Sequence, residues 1–191
     1  MEERKRNAKE TVTMLAKYFL LTMALSLLGW AYETAFMYFT TGHYCERGFM
    51  TMPFCPIYGV SLMTVYFLVG LPQDHGRGIL KKIRVDWARY LLYFLVAFLV
   101  PTVAELIVGI FFETLYGVQL WSYAGVPLNL GGYVSLPVSL FWGVAILFVM
   151  RFVFPILKKW IFKIPDALAC ALAVVLFVAV AVDVAFNYSQ L

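Results

Sequence analysis

Four acidic residues stand inside or at the ends of long apolar stretches of this 191-residue chain. Glu33 and Glu105 lie deep in hydrophobic segments, Asp183 lies near the far end of another, and Glu113 follows Glu105 by two helical turns. Burying an ionised carboxylate in hydrocarbon costs several kcal/mol, so such groups are expected to face a protein interior or a wet cavity, paired or protonated. Carboxylates in this setting are typical of cation binding or proton transfer.

The composition explains why these acids are unusual. The chain is 63% hydrophobic and only 14% charged, with a mean hydropathy of +0.83. A soluble domain is roughly half apolar and about a quarter charged, so the bilayer must be the solvent of this fold. The net charge of +4 does not indicate a nucleic-acid partner, because the basic residues occur in short clusters between apolar segments.

The apolar runs predict a single all-α transmembrane domain with about five membrane-spanning helices. Their approximate bounds are residues 14–39, 53–71, 87–115, 135–154 and 166–186. The second span is short, and its Pro-x-x-Pro entry is typical of a re-entrant start. Pro101 is expected to kink the third span. The first apolar run is too long for a signal-peptide core and lacks a cleavage site, so it is predicted to be a retained helix.

The distribution of positive charge predicts the topology. Of the 15 Lys and Arg residues, all except Arg47 fall in the N-terminal segment, in the second and fourth connecting loops, or at the adjoining span ends. The positive-inside rule therefore predicts a cytoplasmic N-terminus and an outward C-terminus. Counting residues from the cytoplasmic end of each span, at about 1.5 Å per residue, places these acids in the outer half of the bilayer. Arg47 is then in the loop above them.

Two stretches of the chain resemble each other, residues 48–60 and 132–144. Their identical positions are Gly48/Gly132, Pro53/Pro137, Gly59/Gly143 and Val60/Val144. This favours an internal duplication, with parallel two-helix repeats at about 14–71 and 87–154 and an extra helix at about 166–187. Repeats in membrane proteins often place a binding site between the two halves. The alternative is that compositionally simple apolar segments align by accident.

These features predict a polar pocket open to the outer face, with Glu33 and Glu105 at its floor and Arg47 and Glu113 at its rim. The ligand-binding walls and hydrogen bonds would come from Tyr58, Trp121, Tyr123 and Asn129. The excess of acids over the lone arginine suits a cationic or proton-coupled ligand, or carboxylates protonated by burial. Two alternatives stay open: a structural ion-pair network, and an interfacial belt formed by the aromatic residues.

Other kinds of site find less support. His43 and His75 are predicted on opposite sides of the membrane and cannot share a metal. Cys45 and Cys55 could form a disulfide, or Cys55 could belong to the core. The chain has no G-x-x-x-x-G-K-[ST], G-x-S-x-G or H-E-x-x-H motif, so neither a nucleotide, a cofactor nor a known catalytic apparatus is indicated.

Three classes of function remain. The first is a transporter-like or substrate-binding membrane component, for which ATP-driven work would need a separate ATPase. The second is an intramembrane enzyme acting on lipid or lipid-linked substrates at the outer leaflet. The third is a structural or regulatory subunit, with further copies of the chain as one partner. The basic segments are interpreted as topology determinants and as contacts for anionic lipid, rather than as a binding surface for a separate ATPase.

A series of motifs runs from Trp30 to Gly143: Trp30-x-Tyr32-Glu33, Arg47-Gly48, Cys55-Pro56-Ile57-Tyr58-Gly59, Glu105, Glu113, Trp121-x-Tyr123, Pro127-x-Asn129 and Trp142-Gly143. In order and spacing it resembles the bacterial membrane family labelled "Putative ABC-transporter type IV", or CmpB-like. The resemblance implies a small multi-span protein of the bacterial cytoplasmic membrane with a transport-related role. The chain departs from the family pattern at Ser122, which replaces an Asp, and at Tyr133, which replaces an Arg. Together these losses remove one acid–base pair and leave Arg47 as the only outer cation.

Overall fold

The computed structural model describes residues 2–43, 50–74 and 78–190, and this part of the chain is mostly helical. The helices are α1 Glu2–Thr41, α2 Pro56–Val69, α3 Asp86–Tyr116, α4 Leu136–Phe148, α5 Phe154–Phe162 and α6 Asp166–Tyr188. A five-residue π-helical turn, Val149–Val153, joins α4 to α5, and a short 3₁₀ helix covers Gly78–Lys82. Strands β1 Asn129–Leu130 and β2 Val134–Ser135 form a small antiparallel hairpin.

The helix lengths confirm the predicted all-α membrane fold. Within the described residues, four helical segments are long and apolar enough to cross a membrane: Arg6–Phe39, Asp86–Tyr116, Leu136–Phe162 and Asp166–Tyr188. The apolar helix α2 has 14 residues, or about 21 Å, against roughly 30 Å of hydrocarbon. It begins at Pro56 because proline lacks the N–H that a first turn leaves unused. The orientation of the termini stays a prediction.

The segment around residues 149–162 differs from the sequence-based expectation. The fourth span is predicted to end at about residue 154, yet helix α5 continues through Lys158 and Lys159 to Phe162. Lysines near a helix C-terminus interact favourably with its dipole. Pro155 is the second residue of α5, one residue after the end of the π-helical turn. Because Pro155 cannot donate to the carbonyl four residues earlier, the widened turn is a way to accommodate it inside the helix.

By its internal contacts the chain forms two compact units. Unit 1 comprises Met1–Gly59 and Ile156–Leu191, and unit 2 comprises Val60–Pro155. These boundaries do not follow the two sequence repeats, which stay a prediction.

In unit 1, α1 and α6 pack along a seam of small and aliphatic residues. Ala169 and Ala173 of α6 are buried against Ala16 and Leu20 of α1, and small residues allow helices to approach closely in a membrane. At one end of the seam the Lys17 ammonium lies 2.7 Å from the Asp166 carboxylate. The other faces of α6 carry exposed apolar side chains such as Val175 and Phe177, as expected for a helix that contacts lipid.

In unit 2, α3 and α4 form the most extensive helix pair among the described residues. The buried residues of α3 recur every fourth position from Tyr93 through Ala97 and Pro101 to Glu105, and the helix continues through the proline. The buried residues of α4 are Ser139, Gly143 and Ile146. A Cβ atom on Gly143 would lie 2.7 Å from the Phe94 ring. The glycine therefore permits the close approach of the two helices.

We expect Gly143→Ala to lower the free energy of unfolding by about 1–3 kcal/mol, because the added methyl group overpacks the α3–α4 contact. The clashing atoms belong to the far end of the Phe94 side chain. The double variant with Phe94→Leu should therefore recover most of the loss, and thermal unfolding in detergent measures both effects. Equal stability of the single and double variants would contradict this explanation.

Candidate functional site

Glu33 lies in unit 1, beside the start of α2. The Tyr58 hydroxyl donates a hydrogen bond to Glu33 Oε2 at 3.0 Å, and the Cys55 thiol lies 4.0 Å from the same oxygen. Glu33 is half-buried. Tyr58 is in the first turn of α2, where the helix dipole favours a nearby negative charge. The position therefore suits a carboxylate that is oriented by neutral donors.

Two glycines bring the start of α2 close to α1. A Cβ on Gly29 would overlap the Tyr58 ring, and a Cβ on Gly59 would overlap the Ser26 hydroxyl and the Thr22 carbonyl oxygen. The Cys55 N–H also donates to the Ser26 carbonyl at 3.2 Å. Glycine at these positions is thus what allows the Tyr58 hydroxyl to reach Glu33.

Glu105 is a buried carboxylate of unit 2. Its residue is only 8% exposed, although it lies well inside the long apolar helix α3. The Tyr123 hydroxyl donates a hydrogen bond to Glu105 Oε1 at 3.2 Å. Tyr123 is held in turn by its own N–H, which donates to the Gly132 carbonyl at 2.8 Å. Two predicted site residues are thereby brought together.

The loop that carries Tyr123 is braced by two other predicted site residues. The Trp121 indole N–H donates to the Tyr133 carbonyl at 2.9 Å. The Asn129 amide donates to the Val126 carbonyl at 2.8 Å, and its oxygen accepts the Gly132 N–H at 3.1 Å. These contacts give Trp121 and Asn129 a structural role in the loop. Their predicted contacts with a ligand stay a prediction.

Glu113 is exposed near the end of α3 and accepts a hydrogen bond from the Tyr133 side chain. Tyr133 also packs over Gly109, whose Cβ would lie 2.9 Å from the ring. The arrangement parallels that of Tyr58, in that a tyrosine covers a glycine and bonds the glutamate four residues later. Sequence reasoning missed Tyr133 as the partner of Glu113. The shared signal was the Gly-x-x-x-Glu spacing at 29–33 and 109–113.

The Tyr133 hydroxyl should titrate at unusually high pH. Its hydrogen bond to Glu113, then burial, then the carboxylate charge raise its pKa from the ordinary 10.0. Because the pKa of Tyr133 is higher in the folded state than in the unfolded state, protonated Tyr133 stabilises the fold. This stabilisation is complete below the unfolded-state pKa and is lost as pH rises through the folded-state pKa. Tyrosinate absorbance is titrated against pH in the wild type and in Glu113→Gln. The difference between the two curves should correspond to one tyrosine whose pKa is lower in the variant. Tyr133→Phe is the control, since the same Glu113 substitution in it should shift no tyrosine.

The remaining predicted residues have varied outcomes. Arg47 lies outside the described residues, as do Cys45, Gly48 and His75. Cys55 is buried with a free thiol. Asp183 is half-buried, and its Oδ2 atom is buried without a hydrogen-bond partner in the part of the chain that the structure describes. Glu33 belongs to unit 1 and Glu105 to unit 2, so their shared pocket stays a prediction.

The long apolar helices define a multi-pass α-helical membrane protein. The chain belongs to the family described as "Putative ABC-transporter type IV", whose model matches residues 19–188. The match confirms the resemblance carried by the motifs and extends beyond them on both sides. No curated protein and no solved structure matches the chain.

Proposed function

We propose that this protein is a transporter-like membrane component that binds a cationic or proton-coupled ligand at its buried carboxylates. The observation that carries the proposal is Glu105, only 8% exposed within a long apolar helix. Burying a carboxyl group in such a segment is costly whether the group is ionised or neutral. Intramembrane acids of this kind commonly serve ion or proton pathways.

The contacts of the two carboxylates support a binding role. Tyr123 donates to Glu105, and Tyr58 donates to Glu33. A tyrosine hydroxyl orients a carboxylate without neutralising it. An ionised glutamate held in this way retains its attraction for a cation, and a protonated one can release its proton to a ligand.

The family description supports an association with an ATP-hydrolysing component. The chain has no nucleotide-binding motif, so ATP-driven transport would use a separate ATPase at the cytoplasmic surface. Under the predicted topology, the basic segments face that surface and also contact anionic lipid. We also propose that the protein resides in the bacterial cytoplasmic membrane.

Ion flux into proteoliposomes tests the proposal. The purified chain is reconstituted into vesicles that contain a pH-sensitive dye, and a membrane potential or a sodium gradient is imposed. We expect proton or cation movement above that of empty vesicles. A second set of vesicles, prepared from native membranes, is measured with and without ATP. Rates equal to those of empty vesicles in the first assay and no effect of ATP in the second would contradict a transport role.

The same preparation separates the alternatives. An intramembrane enzyme would convert lipid in detergent, where no gradient exists. A structural subunit would be inactive in both assays, and its Glu105 variants would lose folding rather than activity.

A further inference from the structure

Three oxygen-bearing groups belong to buried residues of the α3–α4 pair. Ser139 on α4 is 1% exposed, and its hydroxyl has no hydrogen-bond partner among the described residues. A buried hydroxyl without a partner is costly and calls for an explanation, such as an unseen ion or water. Ser139 shares the buried face of α4 with Gly143, which contacts Phe94 of α3.

The second group is a backbone carbonyl. Pro101 has no N–H to donate to the carbonyl of Ala97, four residues earlier. Ala97 is fully buried, so water cannot readily replace the missing donor. The neighbouring carbonyl, that of Phe98, receives the Thr102 hydroxyl at 2.6 Å in addition to its helical bond. The Ala97 carbonyl is thus the one that loses its donor in the helical ladder.

The geometry of the pair places Ser139 and the Ala97 carbonyl at about one level. Gly143 lies beside Phe94, and Tyr133, which precedes α4, lies beside Gly109, so the two helices run antiparallel. Ser139 is one turn from Gly143, about 6 Å along the axis. That displacement brings Ser139 level with the turn of α3 that contains the Ala97 carbonyl. Glu105 lies one turn beyond Pro101 on the buried face of α3, and the Cα–Cβ bond of a helical residue tilts toward the helix N-terminus, here toward Pro101.

We propose that the Ala97 carbonyl, the Ser139 hydroxyl and the Glu105 carboxylate bind a sodium ion. All three ligands are oxygen atoms, which hard cations prefer. One carboxylate among neutral oxygens matches a single positive charge. Backbone carbonyls released from the helical ladder coordinate sodium in membrane transporters of other folds. The proposal rests on the proposed role of Glu105 and names the cation that it binds.

Sodium binding is measured as a rise in the thermal unfolding midpoint of the protein in nanodiscs. NaCl replaces choline chloride at constant ionic strength, and KCl serves as a second cation. We expect a saturable rise with sodium and a smaller one with potassium. Ser139→Ala should weaken the apparent affinity at least about tenfold. The control is Ser26→Ala, because Ser26 is equally buried but its hydroxyl already donates to the Thr22 carbonyl at 2.9 Å.

Pro101→Ala gives a second test that loss of folding cannot mimic. Alanine supplies an N–H to the Ala97 carbonyl and favours the helix, so the midpoint in choline should stay equal or rise while the sodium response is lost. Midpoints that respond equally to all three cations, or variants that titrate like the wild type, would overturn the proposal. If Ser139→Ala does not fold, Pro101→Ala alone decides.

The binding test and the flux test can fail separately. The binding test uses nanodiscs, which have no closed interior and therefore report binding without transport, whereas the flux test uses closed vesicles. Sodium-dependent midpoints without any flux would retain the ion site and contradict the transport role. Flux that is equal in sodium and choline, with unresponsive midpoints, would retain transport and overturn the sodium site.

Discussion

Gly59→Ala should prevent the stable assembly of α1 with the start of α2. The added Cβ would overlap both the Ser26 hydroxyl and the Thr22 carbonyl oxygen. A side chain can rotate away, but a backbone carbonyl moves only with its helix. Overpacking typically costs 1–3 kcal/mol and occasionally more, and the backbone overlap places this variant at about 3 kcal/mol or above. We expect a large loss of monodisperse protein and a lower unfolding midpoint.

Gly125→Ala is the matched control, because a Cβ at Gly125 would have no heavy atom within 4 Å. Its expression and midpoint should equal those of the wild type. The double variant Gly59→Ala with Ser26→Ala should remain impaired, since the Thr22 carbonyl is still in the way. Recovery by that double variant would show that the hydroxyl alone limits the approach of the helices.

Glu105→Gln should abolish the flux while leaving the fold intact. Glutamine keeps the size of the side chain and an oxygen that can accept from Tyr123, but it carries no charge and no acidic proton. Hydrogen bonds to charged groups contribute about 1.5–3 kcal/mol, so binding of a cationic ligand should weaken about ten- to a hundredfold. The thermal midpoint should be unchanged or higher, because a neutral amide is less costly to bury than a carboxylate.

Glu10→Gln is the control for this substitution. Glu10 is exposed in the polar first turns of α1, where it lies 3.9 Å from Arg6. Its loss should change neither flux nor midpoint. Undiminished flux in Glu105→Gln would remove this glutamate from the site, and loss of both flux and folding would favour a purely structural role.

Much of the fold was predictable because span length is set by the bilayer. The third and fifth spans, predicted at 87–115 and 166–186, differ by at most two residues from α3 and α6. The start of α2 was less predictable, since Pro53 and Pro56 are both compatible with a first turn. The π-helical turn could not be foreseen, because a proline inside an apolar run is expected to end or kink a helix.

The candidate site was predictable as a set of residues but not as pairs. Burial cost identifies Glu33 and Glu105 from sequence alone. Their tyrosine partners lie 25 and 18 residues away in the sequence. The path of the intervening chain therefore decides which aromatic side chain contacts each glutamate. The hydroxyl of Ser139 was overlooked because a serine in an apolar helix ordinarily bonds its own backbone.

Ser122 and Tyr133, the two positions at which the chain is expected to depart from the family pattern, lie in the loop between α3 and α4. Ser122 lies near Gly132, whose Cβ would be 3.4 Å from the Ser122 hydroxyl, and Tyr123 pairs with Gly132 through the backbone. Tyr133 follows Gly132 directly in the chain, and the joint loss of an acid at position 122 and a base at position 133 stays a prediction. In this chain Tyr133 is hydrogen-bonded to Glu113 instead.

Helix α1 has 40 residues and is about 60 Å long, twice the thickness of the lipid hydrocarbon. We therefore expect the charged first turns of α1 to extend into water as a continuation of the same helix. A fluorescent label at Asn7 would be held clear of the headgroups at a fixed height, and its distance to a membrane dye would report the tilt of the whole helix.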